Sequence, residues 1–182
     1  GGQTFARELI TKILESGRDV VTANKDLMAV HGEELLALAE KNGRQLLFEA
    51  SVTGAIPVVR LLQDYFHVDD IERVSGIFNG TSNYILTEME QKQISFEVAL
   101  RQAQDLGFAE ADPTNDIAGY DARYKLVILT YLITGVWLAP EHITLEGIEH
   151  LEPADFAYAS RMDRRIKPVS YTHLRAHETD YY

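Results

Sequence analysis

The sequence contains no cysteine, which removes disulfide frameworks and thiolate metal sites and fits a reducing compartment such as the cytoplasm. It is also short of positive charge. Lys and Arg number 17 against 28 Asp and Glu, for a net charge of −11. That balance argues against nucleic acid or an anionic membrane as the main partner. Long apolar runs are missing too. The longest, residues 126–140, is interrupted by Thr130, Thr134 and Gly135. It is too short to span a bilayer and reads as a buried helix. No basic, apolar and small-residue regions open the chain in the manner of a secretion signal. A nucleophile elbow, an H-E-x-x-H helix and a G-x-x-x-x-G-K phosphate loop are all absent. No G-x-G-x-x-G follows a strand, so any dinucleotide-binding turn is expected upstream of Gly1.

What remains is an ordinary globular composition, 46% apolar and 25% charged over 182 residues, enough for one domain or parts of two. The start on Gly1-Gly2 without Met and the change of character after Pro168 predict a piece of a longer protein. Residues 169–182 lack a periodic pattern and resemble an adapter-derived run found at the ends of unrelated translated sequences. They are read as a non-native or disordered tail. His173 and His177 have helical metal-ligand spacing, but no carboxylate motif accompanies them.

The periodicity predicts a helix over 4–16, with Phe5, Leu9 and Ile13 on its apolar side and Gly17 behind it. A short strand follows at 19–22. Asn24 then caps a helix to about 41, and a second strand covers 45–50. Residues 51–55 form a Gly-containing loop, and Pro57 opens a helix through 66. A third strand is expected at 71–78, helices at 82–91 and 96–106, a long helix at 117–138, a strand at 143–148 and a helix at 153–162. Helices and strands alternate in the first third, the pattern of a parallel α/β sheet. After Glu49 the helices lengthen and strands become sparse, predicting an α+β second domain. The boundaries are 1–48, 49–168 and 169–182.

Four constellations carry chemistry. Glu110, Asp112, Asp116 and Asp121 gather before and inside the start of an apolar helix, and Asp121 and Lys125 share a face at i, i+4. Spacing alone leaves two readings open: a surface ion pair with acids that suit the helix dipole, or a cleft where a Lys and carboxylates do catalysis. Lys25, in Val20-Val-Thr-Ala-Asn-Lys25, stands at a helix N-terminus, where a bound anion would offset its clash with the dipole. A tolerated exposed Lys explains it as well. Gly76-Ile-Phe-Asn-Gly-Thr-Ser-Asn-Tyr84 offers free backbone N–H groups for a carboxylate or phosphate, or simple capping by Thr81 or Ser82. Phe48-Glu-Ala-Ser-Val-Thr-Gly-Ala-Ile56 puts Glu49 at a strand end. There it is either a satisfied carboxylate or part of a monovalent-cation site.

VVTANK, EASVTGAIP, GIFNGTSNYIL and GFAEADPTNDIAGYDARYKLVIL, in this order from Val20 to Leu129, resemble the homoserine dehydrogenase family. The resemblance implies the end of a Rossmann-type NAD(P)-binding domain, a remnant of its parallel sheet, followed by an α+β catalytic and dimerisation domain. It implies interconversion of L-homoserine and L-aspartate 4-semialdehyde with NAD(P)(H), in threonine and methionine biosynthesis, by a homodimer. By position it makes Lys125 the proton donor and acceptor. Glu110 and Asp121 bind the substrate's amino-acid end with Asp116 in support, and Lys25 and Gly107 lie against the cofactor. Glu49 with the carbonyls of Val52, Gly54 and Ile56 matches a sodium site. Thr53 and Ala55 stand where relatives often have other small residues, which does not disturb a site made of carbonyls. The rivals are a catalytically dead folding or dimerisation module and an oxidoreductase acting on another amino-acid aldehyde.

Overall fold

The computed structural model describes residues 3–66 and 71–173. It is mixed α/β and mostly helical, and it divides into two compact units.

Among the described residues, the first unit holds those up to Val74, Tyr124–Ile143 and 171–173. It opens with α1 (Gln3–Glu15), β1 (Val20–Val21), α2 (Lys25–Lys41) and β2 (Leu46–Leu47). The strands pair in parallel, Val20 opposite Leu46 and Val21 opposite Leu47. Period-two alternation sends Val20 and Leu46 inward, 8% and 5% exposed, and leaves Val21 and Leu47 at 80% and 49%. Asn24 starts α2 as expected, its Oδ1 accepting from the Leu27 N–H at 3.0 Å. The apolar side of α1 is not the predicted one. Ile10 and Leu14 are buried while Phe5 and Leu9 are exposed, so the helix is rotated relative to the Phe5–Leu9–Ile13 stripe. Burial of Ile10 and Leu14 contributes about 1.5–3 kcal/mol each.

A 3₁₀ turn (Glu49–Ser51) leads to α3 (Val58–Asp64), which Pro57 precedes instead of entering. The later part of α7 (Tyr120–Thr134) adds the buried run Leu126 to Thr130. The long helix is shorter than its pattern predicts because Gly119 and Gly135, at φ 87° and 70°, turn the chain at both ends. A second 3₁₀ turn (Pro140–His142) follows.

The second unit holds Ser75–Arg123 and Thr144–Ser170. Its core gathers α4 (Gly80–Lys92), α5 (Phe96–Asp105) and α8 (Pro153–Arg161) around Ile85, Leu86, Met89, Phe96, Ala99, Ala103 and Phe156. A four-residue helix, α6 (Thr114–Ile117), stands before the long helix, where no element was expected. The strand expected at 143–148 does not form: the Ile148 N–H bonds the Ile117 carbonyl at 2.9 Å instead of a ladder partner. β3 (Arg73–Gly76) is shorter than expected and pairs with β4 (Ser170–His173), which lies inside the stretch set aside as a tail. Residues 174–182, and with them His177, lie outside the described residues.

Candidate active site

The polar centre of the second unit is built on the first turn of α4. Asn79 precedes the helix in extended conformation, and its Oδ1 accepts from the Ser82 N–H at 2.7 Å. The cap is therefore Asn79, where Thr81 or Ser82 was expected. Those hydroxyls are committed elsewhere: Thr81 Oγ1 donates to the Phe108 carbonyl at 2.7 Å and Ser82 Oγ to the Asp116 carbonyl at 2.9 Å. Both bonds tie α4 to the loop and the short helix that carry the acidic residues. The Tyr84 and Phe108 rings, 4.9 Å apart, pack the same junction.

Two of the predicted site residues meet here. Asn79 Nδ2 donates to Asp116 Oδ1 at 2.6 Å and to Asp121 Oδ2 at 2.9 Å. Asp121 is only 6% exposed, so the reading of it as half of a surface ion pair is overturned. A buried carboxylate needs hydrogen-bond donors, and the Asn79 amide supplies one.

Glu110 sits on the exposed loop after α5, where Gln104 Nε2 donates to its carbonyl at 3.1 Å. Gly107 heads that loop at φ 76°, a left-handed turn that favours glycine, and nothing lies within 4 Å of where a Cβ would be. Asp112 accepts from Thr114 Oγ1 and N at 2.6 and 3.2 Å, which holds its carboxyl below the ordinary Asp range. This turn starts α6 and so places Asp116.

The remaining site residues belong to the first unit. Lys125 is half-buried on α7, one helical turn beyond Asp121. Ile128 and Leu129 after it are buried and Leu132 is half-buried. Lys25 opens α2 with its Nζ 3.9 Å from the Asp26 carboxylate. Glu49 accepts from the Val59 and Arg60 N–H groups at 3.2 and 2.8 Å, one on each carboxylate oxygen, and so ties down the start of α3. The intervening loop runs through left-handed Thr53 and Gly54, φ 56° and 59°, and Thr53 Oγ1 donates to the Ile56 carbonyl at 2.9 Å. Glu49, Val52, Gly54 and Ile56 would offer a cation only oxygen, a donor set suited to a hard ion. Among the described residues no group of three or more His, Cys, Asp or Glu is placed to hold a metal.

Asn79 was not singled out from sequence. Its only local signal is the dense run of capping residues around it, and its partners are 37 and 42 residues away.

Comparison with known proteins decides what this arrangement belongs to. Residues 57–179 match the family model for homoserine dehydrogenase, and residues 1–49 match the model for the NAD-binding domain of homoserine dehydrogenase. The chain belongs to the homoserine dehydrogenase family. It is 45% identical over 162 residues to the homoserine dehydrogenase of Lactococcus lactis, covering 89% of this chain and 38% of that protein. It is 44% identical over 186 residues to that of Pseudomonas aeruginosa, covering 98% and 43%. The chain thus spans about two fifths of the length of these relatives. A crystal structure of a homoserine dehydrogenase from Thiobacillus denitrificans superposes with a TM-score of 0.93 at 43% identity, covering 97% of this chain and 41% of that one. A hyperthermophilic archaeal homoserine dehydrogenase in complex with NADPH gives 0.80 at 30%, covering 92% and 49%. The family expected from the four sequence blocks is the family found.

Proposed function

We propose that this chain is the catalytic segment of an enzyme interconverting L-homoserine and L-aspartate 4-semialdehyde with NAD(P)(H). The observation that carries the reading is the pair of carboxylates joined by Asn79, half-buried Asp116 on α6 and buried Asp121 at the start of α7, the helix that bears Lys125. The substrate presents an ammonium at one end and an alcohol or aldehyde at the other. Asp121 and Glu110, with Asp116 in support, take the ammonium end, where their negative charge is complementary to it. Lys125 takes the proton of the hydroxyl on oxidation and returns it to the carbonyl oxygen on reduction. A protonated Lys is already an acid able to serve the reductive direction. The nicotinamide, when bound, accepts or gives the hydride at the alcohol carbon.

Residues 1–48 belong to the dinucleotide-binding domain and 49–168 to the catalytic domain, a reading supported by the family-model matches over 1–49 and 57–179. On this reading β1 and β2 are a remnant of a Rossmann-type parallel sheet. The NADPH held by the archaeal relative supports an NAD(P) cofactor, with Lys25 and Gly107 against it. Glu49 and the carbonyls of Val52, Gly54 and Ile56 hold a sodium ion, a role supported by their all-oxygen donor set. The catalytic domain forms a homodimer, and the enzyme works in the cytoplasm. Among the described residues no helix is long and apolar enough to cross a membrane.

The test replaces the matching segment of the Pseudomonas aeruginosa relative with this chain and follows NAD(P)H formation with homoserine and with close hydroxy-amino-acid analogues. Homoserine is expected to give the highest kcat/KM, and an analogue that outperforms it would assign the chain to another amino-acid aldehyde. The isolated chain is expected to be inactive, since its 182 residues include no G-x-G-x-x-G turn.

A further inference from the structure

We infer that Asn79 is a positioning residue that holds the Asp116 and Asp121 carboxylates in the arrangement that receives the substrate's ammonium group. The inference rests on the substrate-binding role proposed above for those two acids.

The geometry asks more of Asn79 than a helix cap. Capping α4 uses only the side-chain carbonyl, which accepts from the Ser82 N–H at 2.7 Å. Ser, Thr or Asp would do that as well. The amide nitrogen has two further hydrogens, and they go to two different carboxylates, Asp116 Oδ1 at 2.6 Å and Asp121 Oδ2 at 2.9 Å. Both donors and the acceptor of a side chain only 5% exposed are thus in use. Two anionic oxygens within hydrogen-bond reach of one nitrogen repel each other and, without a shared donor, would swing apart. An amide orients both acids without adding a charge of its own. Ser82 reinforces the arrangement by fixing the Asp116 main chain, Oγ to carbonyl at 2.9 Å. The position of Asp116 is therefore set from α4 through both its side chain and its backbone.

The cap and the clamp can be separated. Asn79→Ser and Asn79→Asp both keep an oxygen for the Ser82 N–H and lose the bridging amide, and the Asp variant adds a third carboxylate to the pair. These variants and Asp121→Asn are made in the full-length chimera with the Pseudomonas aeruginosa relative. KM for homoserine, KM for the cofactor, kcat and Tm are measured for each. Hydrogen bonds to charged groups lead us to expect a rise in homoserine KM of roughly ten- to hundredfold for Asn79→Ser and more for Asn79→Asp. Cofactor KM is expected to stay within about twofold, and Tm to move little for Asn79→Ser and to fall for Asn79→Asp, whose added carboxylate is buried beside two others. A lowered Tm with unchanged homoserine KM makes Asn79 a cap and nothing more, and overturns the inference. If Asp121→Asn raises homoserine KM while Asn79→Ser does not, the inference fails and the substrate-binding reading stands. If Asp121→Asn leaves homoserine KM unchanged, that reading fails first and takes the inference with it.

Discussion

Gly32 on α2 lies directly beneath the Trp137 indole, so closely that a Cβ there would overlap ring atom Cη2. The indole is fixed in that place. Its Nε1–H donates to the Ala29 carbonyl at 3.0 Å, and its ring centroid is 4.4 Å from that of Tyr131. Gly32→Ala should destabilise the first unit by about 1–3 kcal/mol through overpacking. Trp137 is the one Trp in the sequence, so urea unfolding followed by its fluorescence reads the loss directly. A red-shifted native emission should accompany it as the indole is pushed toward water.

Lys125→Ala, in the full-length chimera, should lower kcat by orders of magnitude while the cofactor still binds with near-normal affinity. Cofactor titration separates the two effects. Near-normal turnover would remove Lys125 from proton transfer.

Asn24→Ala removes the Oδ1 acceptor from the first turn of α2 and should cost about 1 kcal/mol. Asn24→Ser should recover most of that. Chemical denaturation of the two variants side by side checks it.

The ion pair of Arg7 with Glu34 gives a pH dependence with a definite sign. Hydrogen bonding and charge from Arg7 hold the Glu34 carboxyl below the usual Glu range, and both side chains are about half exposed. A carboxylate with a depressed pKa contributes stability that is present above its unfolded value and fades as pH falls through the folded one. The difference in urea midpoint between the parent and Glu34→Gln should therefore be small at neutral pH and vanish in acid. A difference that grows on acidification would contradict the assignment.

Thr53 sits at φ 56°, a left-handed conformation that strains a β-branched residue, in the loop whose carbonyls are proposed to face sodium. Thr53→Gly should relieve that strain but lose the hydroxyl bond to the Ile56 carbonyl. If sodium binds there, the variant should bind it more weakly than the parent in a sodium-23 NMR titration, because the Ile56 carbonyl is no longer held. Equal affinity would place the ion elsewhere.

Local chemistry was legible where one residue dominated its surroundings. Asn24 is the capping residue next to the start of α2, and it caps. Around α4 four neighbours, Asn79, Thr81, Ser82 and Asn83, can each cap, and the choice is made by Asp116, Asp121 and Phe108, far away in sequence. No periodicity encodes such a choice. The apolar side of α1 was misread because Phe5 and Leu9 repeat at helical spacing whether or not something covers them, and what decides is which side meets α2. Residues 143–148 were expected to form a strand, but a segment becomes one only when a ladder partner lies beside it. The four blocks that identify the family were legible because each is a contiguous run that can be read without knowing what packs against it.

The parallel pair of β1 and β2 has a consequence of another kind. Its outward residues, Val21 and Leu47, form an apolar face on a two-strand ladder, and the ends of such a ladder invite further strands. On the proposed reading of the pair as part of a Rossmann-type sheet, that face and those edges are where the rest of the dinucleotide-binding domain packs.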